Sequence, residues 1–89
     1  RKHLGEQGFG ATLLRQVLFA LYQMEQSDDA TRGLNYLKSE LPDYWSKRDL
    51  ILHLLEYLSG LRRVSNMKHW HRAAEMAEIL RTRVQNDHV

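Results

Sequence analysis

Eighty-nine residues, 43% hydrophobic and 27% charged, with 13 Lys and Arg against 11 Asp and Glu for a formal charge of +2, define one globular domain. The chain is too short for two cores, too apolar to be disordered and too evenly charged to announce a nucleic-acid partner. No apolar run nears the ~20 residues of a membrane span and no signal-peptide pattern is present, so a cytoplasmic protein is expected. With no cysteine, a disulfide framework and a thiolate zinc site are both ruled out.

The sequence starts at Arg1 rather than Met, and its opening stretch holds three of the five glycines, Gly5, Gly8 and Gly10, without periodicity. Residues 1–8 therefore read as a flexible lead-in, and the chain as a piece of a longer protein. The three glycines do not make a phosphate loop, because no strand precedes them and neither Gly-Lys-Ser/Thr nor a dinucleotide fingerprint follows.

A first helix is expected over residues 9–26. Leu13, Val17, Ala20, Leu21 and Met24 share one side of a helical wheel and form a core stripe. Arg15, Leu18, Phe19 and Tyr22 follow the i, i+3, i+4, i+7 spacing on roughly the opposite side. A helix apolar on two faces is either the central element of a bundle or partly an interface.

Ser27, Asp28 and Asp29 supply capping oxygens and negative charge for the start of a second helix over residues 29–40. It turns Leu34, Leu37 and Leu41 inward, carries Gly33 at a cost of up to about 1 kcal/mol relative to alanine, and stops before Pro42. Ser46-x-x-Asp49 reads as a variant capping box for a third helix over residues 46–59. Its inner face is Leu50, Ile51, Leu54, Leu55 and Leu58, with Asp49, His53 and Glu56 outside and Gly60 as its stop.

A fourth helix is expected over residues 67–85, capped by Ser65 or Asn66, with Trp70, Ala73, Ala74, Ala77, Leu80 and Val84 inward. Alanines permit a close helix approach. Asn86, Asp87, His88 and Val89 form an unpatterned tail. Alternating β-branched runs and hairpin turns are missing, leaving at most a short strand around Arg63 and Val64. The expected fold is thus an all-α bundle of four helices in a single domain over residues 9–85.

The chemistry-bearing patterns mostly have structural explanations. His69 and His71 on a helix point about 200° apart and cannot grip one metal ion. His53 has Asp49 four residues before it and Glu56 three after, a set that could tune a base, but no nucleophile lies nearby. The second and third helices flank a turn as in a helix-turn-helix. The third, however, spends its leucines on burial and offers only Lys47, Arg48, His53 and Glu56 outward, a poor reading surface for DNA.

Two surfaces remain. Phe19 and Tyr22 are the first candidates for a protein interface. Met76 and Ile79, which lie between Arg72 and Arg83 on the outer side of the fourth helix, are the second. Arg62, Arg63, Lys68, Arg72 and Arg83 form a basic set able to meet phosphate, which would give weak, sequence-independent DNA contact.

Tyr44-Trp45-x-x-Arg48, Leu54-Leu55-x-Tyr57-Leu58, His69-Trp70 with Ala74 and Ala77, and the terminal Asn86-Asp87-His88-Val89 resemble a known C-terminus. It is that of large bacterial adenine-specific DNA methylase-like proteins that carry an N-terminal domain of unknown function, some linked to anti-phage defence. The resemblance spans roughly Phe9 to Val89 and rests mostly on helix-packing residues. It implies a parent that binds S-adenosylmethionine and methylates adenine through an Asn/Asp-Pro-Pro-Tyr/Phe motif. Pro42 stands alone here, so no catalytic or cofactor residue carries over to this chain. The expectation is a non-catalytic accessory domain, without cofactor or metal, that docks to its parent chain, to a second copy or to another protein.

Overall fold

The computed structural model describes residues 2–64 and 68–88, with side chains over 10–61 and 70–88. Four helices follow one another: α1 (Lys2–Ser27), α2 (Ala30–Glu40), α3 (Tyr44–Val64) and α4 (Lys68–Gln85). No strand occurs among the described residues, and none of their helices is long and apolar enough to cross a membrane. α1 pairs with α2 and α3 with α4, while α1 and α2 also pack on α4 and α1 on α3. The short axis of the domain is 19 Å, about the depth of two helices. This is the all-α four-helix bundle that the periodicity predicts.

The core follows from that periodicity. Leu13, Val17, Ala20, Leu21 and Met24 of α1 are buried, facing Leu37 of α2, Ile51, Leu55 and Leu58 of α3, and Ala77, Leu80 and Val84 of α4. Two expected inner residues of α3 differ. Leu50 is exposed and Leu54 half-buried, because the buried stripe runs Ile51, Leu55, Leu58 and leaves both toward its edges. Trp70 and Ala73 are half-buried at the start of α4, whereas Ala74 is fully buried.

The helix ends depart further from expectation. α1 begins at Lys2 rather than near residue 9, so Gly5, Gly8 and Gly10 are helical positions and not a lead-in loop. It closes on Asp28, whose φ of 53° is the one positive value of a non-glycine residue among those described. The Asp29 N–H then reaches back to the Met24 carbonyl at 3.2 Å, the long bond of a Schellman-type C-cap. Asp29 also starts α2, because its carboxylate accepts the Thr31 N–H at 3.0 Å. One turn thus reverses the chain within two residues.

α2 stops as expected at Leu41, an extended residue before Pro42 whose N–H still reaches the Leu37 carbonyl. α3 starts two residues earlier than the capping box predicts. The Asp43 carbonyl accepts the N–H groups of Ser46 and Lys47 at 3.1 Å each, and the Ser46 hydroxyl donates to the same carbonyl at 2.8 Å. Ser46 therefore lies inside the first turn, and burial of Tyr44 fixes the earlier start.

Gly60 does not end α3. No described glycine has a positive φ, and the helix runs on to Val64 because Leu61, one turn beyond Leu58, also packs on the core. Arg63 and Val64 are helical as well, not a short strand. A β-carbon built on Gly60 meets nothing within 4 Å. Gly60→Ala should therefore stabilise the domain by roughly 0.5–1 kcal/mol, raising the midpoint of a circular-dichroism melt by several degrees. A lower midpoint would mean that Gly60 is a left-handed stop after all.

Candidate interaction face

Turning its core stripe inward leaves α1 with a second apolar face that the other helices cover only in part. Phe19 is 48% and Tyr22 52% exposed, and their rings stack with centroids 5.9 Å apart and planes within 2°. Tyr36 of α2 meets Phe19 edge-on at 5.3 Å and donates its hydroxyl to Gln16 Oε1 at 2.5 Å. Burial first, and then the negative charge of Glu40, raise the Tyr36 hydroxyl above its ordinary pKa. Arg15, Gln16, Leu18, Phe19, Tyr22 and Tyr36 line an open groove of about 530 Å³ between α1 and α2.

Leu18 is the ridge between this groove and a second one of about 340 Å³ on its other side. The second is lined by Leu14, Leu18, Tyr57, Leu58, Leu61 and Trp70, and Tyr57 is 68% exposed. A smaller hollow of about 140 Å³ opens beside Leu18, Tyr22 and Glu25, toward Ala73 and Met76 of α4. The three share Leu18, so the face is one continuous, mostly apolar surface with aromatic rings around a half-buried leucine. Continuous apolar patches of this kind mark interaction sites more often than isolated exposed leucines do. One stripe of α1 is therefore core, and Phe19 and Tyr22 of the other stay at the surface.

The second interface candidate needs correction. Met76 is only 7% exposed and belongs to the core cluster. Ala73 and Ala77 are its small neighbours in sequence, so the helix approaches closely there and the long thioether fills the space. Ile79 is exposed, but it lines none of the grooves around Leu18. The two do not form a joint patch.

Of the basic set, the side chains of Arg62, Arg63 and Lys68 lie outside those described. Arg72 pairs with Glu25 across helices at 3.5 Å and with Glu75 along its own helix at 3.3 Å. Arg83 donates to the Thr31 hydroxyl at 3.1 Å. Both guanidinium groups are thus engaged within the chain. His53 directs its Nδ1–H to the backbone carbonyl of Asp49 at 2.7 Å, a local helix bond. Among the described residues no three His, Asp or Glu side chains converge as a metal site would require.

One constellation has no counterpart in the sequence reading. Asp87, from the supposedly unpatterned tail, accepts Lys38 Nζ at 2.9 Å and the Tyr44 hydroxyl at 3.3 Å. Arg48 donates from Nε to the Val84 carbonyl at 3.2 Å and from Nη2 to the Gln85 carbonyl at 2.8 Å, placing positive charge on the negative end of α4. Trp45 stands edge-on to Tyr44 at 5.0 Å, with Lys38 Nζ 5.3 Å and Arg48 Cζ 6.0 Å from its ring centre. The end of α2, the start of α3 and the end of α4 are clamped together here. The spacing of Tyr44, Trp45 and Arg48 on one helix face was the only available signal, and it names neither Lys38 nor Asp87. No protein-family model, no curated protein and no solved structure matches this chain.

Proposed function

We propose that this chain is a non-catalytic accessory domain that docks through the aromatic face centred on Leu18. The observation that carries this reading is the continuity of the three hollows around that leucine, with Phe19, Tyr22 and Tyr57 standing about half or more exposed at their rims. A solvated helix face has no use for three large rings, whereas interfaces are enriched in aromatic residues whose burial contributes most of the binding energy. The resemblance of the C-terminal segments suggests a DNA adenine methylase-like protein of the bacterial cytoplasm as the setting. In that setting this chain contributes contact rather than chemistry.

Phe19→Asp tests the surface role. Phe19 lies outside the buried core, so the substitution should cost about 1–3 kcal/mol, the scale of its two aromatic pairs, and leave the helical content unchanged. It should also weaken binding of the apolar dye 1-anilinonaphthalene-8-sulfonate, which the wild type should bind. A large loss of helicity would instead make Phe19 a core residue and sink the docking reading. So would a wild type that does not bind the dye.

A further inference from the structure

We infer that the occupant of the Leu18 face is the same face of a second copy, with the two α1 helices packed antiparallel about a two-fold axis beside residue 20. The inference rests on the docking reading and adds its partner. Arg15, Leu18, Tyr22 and Glu25 advance along α1 at intervals of three, four and three residues, the spacing of a seam between two packed helices. That set is symmetric about residue 20. Reversing one helix against its copy places Leu18 opposite Tyr22 of the second copy and Arg15 opposite Glu25 of the second copy, and the two-fold repeats both pairs. An isologous contact requires this self-complementarity.

The charges decide between partners. Arg15 and Glu25 stand at opposite ends of the apolar stretch, and both are exposed. Ten residues of α-helix separate them by about 15 Å, so they cannot pair within one chain. A parallel copy would set Arg15 against Arg15. A foreign apolar helix would satisfy Leu18 and Tyr22 but has no reason to carry opposite charges at this separation, whereas an antiparallel copy always does. Glu25 already meets Arg72 at 3.5 Å; both groups are nearly half exposed, and a carboxylate has lone pairs for two guanidinium groups. The two grooves beside Leu18 let a neighbouring ridge approach to helix-packing distance.

Sedimentation equilibrium at low ionic strength, from roughly 10 µM to 1 mM, should show a reversible monomer–dimer equilibrium of the strength a small interface gives. Arg15→Glu and Glu25→Arg alone should each weaken dimerisation at least about tenfold, since each reversal sets two like-charged pairs together. Mixing the two variants in equal amounts should restore a dimer, because both ends of the seam are then acidic on one chain and basic on the other. The inference is overturned by a wild type that stays monomeric throughout, by single reversals that dimerise like the wild type, or by a mixture that recovers nothing. If the wild type is monomeric yet its dye binding weakens on Phe19→Asp, self-association fails and docking stands. If dye binding is absent as well, both fail.

Discussion

Gly33→Val should destabilise the domain by about 3 kcal/mol, a large part of the roughly 4–13 kcal/mol expected for a chain of this size. Gly33 lies on the face of α2 that presses on α1. A β-carbon at this position would sit 2.5 Å from Met24 Cγ, 2.6 Å from Met24 Sδ and 3.2 Å from the Ala20 carbonyl oxygen. Met24 is 1% exposed and cannot swing into solvent, and the Ala20 oxygen is backbone. The two helices would have to separate, opening the core to which Leu37 and Val17 both belong. Valine adds two further carbons and a stiff χ1 to that conflict.

Alanine at the same position gains about 1 kcal/mol of helix propensity, yet it should still lower the melting temperature, because the clash of one carbon outweighs that gain. A double-mutant cycle with Met24→Ala locates the cause. Shortening Met24 removes the atoms in conflict, so Gly33→Ala should cost at least about 1 kcal/mol less in that background than in the wild type. Equal costs in both backgrounds would mean that the close approach at Gly33 is not what sets the distance between α1 and α2. Chemical denaturation read by far-ultraviolet circular dichroism measures all four corners.

The same glycine shows why only part of the fold was legible. Periodicity identifies a buried stripe whenever the helix is long enough to sample its face several times, and for α1 it selected Leu13, Val17, Ala20, Leu21 and Met24 without error. It cannot say how far a helix extends, because that depends on packing beyond the repeating unit. Gly60 looked like a stop by residue type, but Leu61 continues the buried stripe and carries the helix past it. Asp28, a residue type that favours helix starts, adopts the left-handed geometry that ends α1, and this leaves Asp29 as the cap of α2. Met76 fell on the outer side of the α4 wheel, yet the neighbouring helices reach around far enough to cover it.

The candidate face was legible for a related reason. Phe19 and Tyr22 form their own periodic stripe on α1, whereas Tyr36, Tyr57 and Trp70 join it only through tertiary packing. The clamp at the chain's end lies beyond any local reading, since Asp87 and Tyr44 are 43 positions apart and nothing in either segment names the other. Tyr44-Trp45-x-x-Arg48 and the Asp87 tail meet in this one clamp. Each end supplies what the other needs to satisfy its charges and its open carbonyls.

The clamp should make the domain sensitive to alkali. Tyr44 is 2% exposed, and its hydroxyl is pushed up from 10.0 to about 12, first by burial and then by the adjacent Asp87 carboxylate, with Arg48 opposing. In the unfolded chain the phenol ionises near pH 10. The folded state thus holds its proton more tightly than the unfolded state. The stabilisation is fully present below pH 10 and is lost as the pH rises through about 12. Two pH units correspond to about 2–3 kcal/mol. Alkali acts on the whole chain, so the informative quantity is the difference between wild type and Tyr44→Phe. The phenylalanine keeps the ring against Trp45 and gives up only the hydroxyl's bond to Asp87, costing about 1 kcal/mol at neutral pH. Between pH 10 and 12 the wild type should lose about 2 kcal/mol more than the variant, so their unfolding midpoints in urea should converge and then cross. Parallel decline of both proteins over that range would show that the Tyr44 proton does not couple to folding. Asp87→Asn separates the two causes: with the carboxylate gone but the phenol still buried, the alkaline loss attributable to Tyr44 should shrink without vanishing.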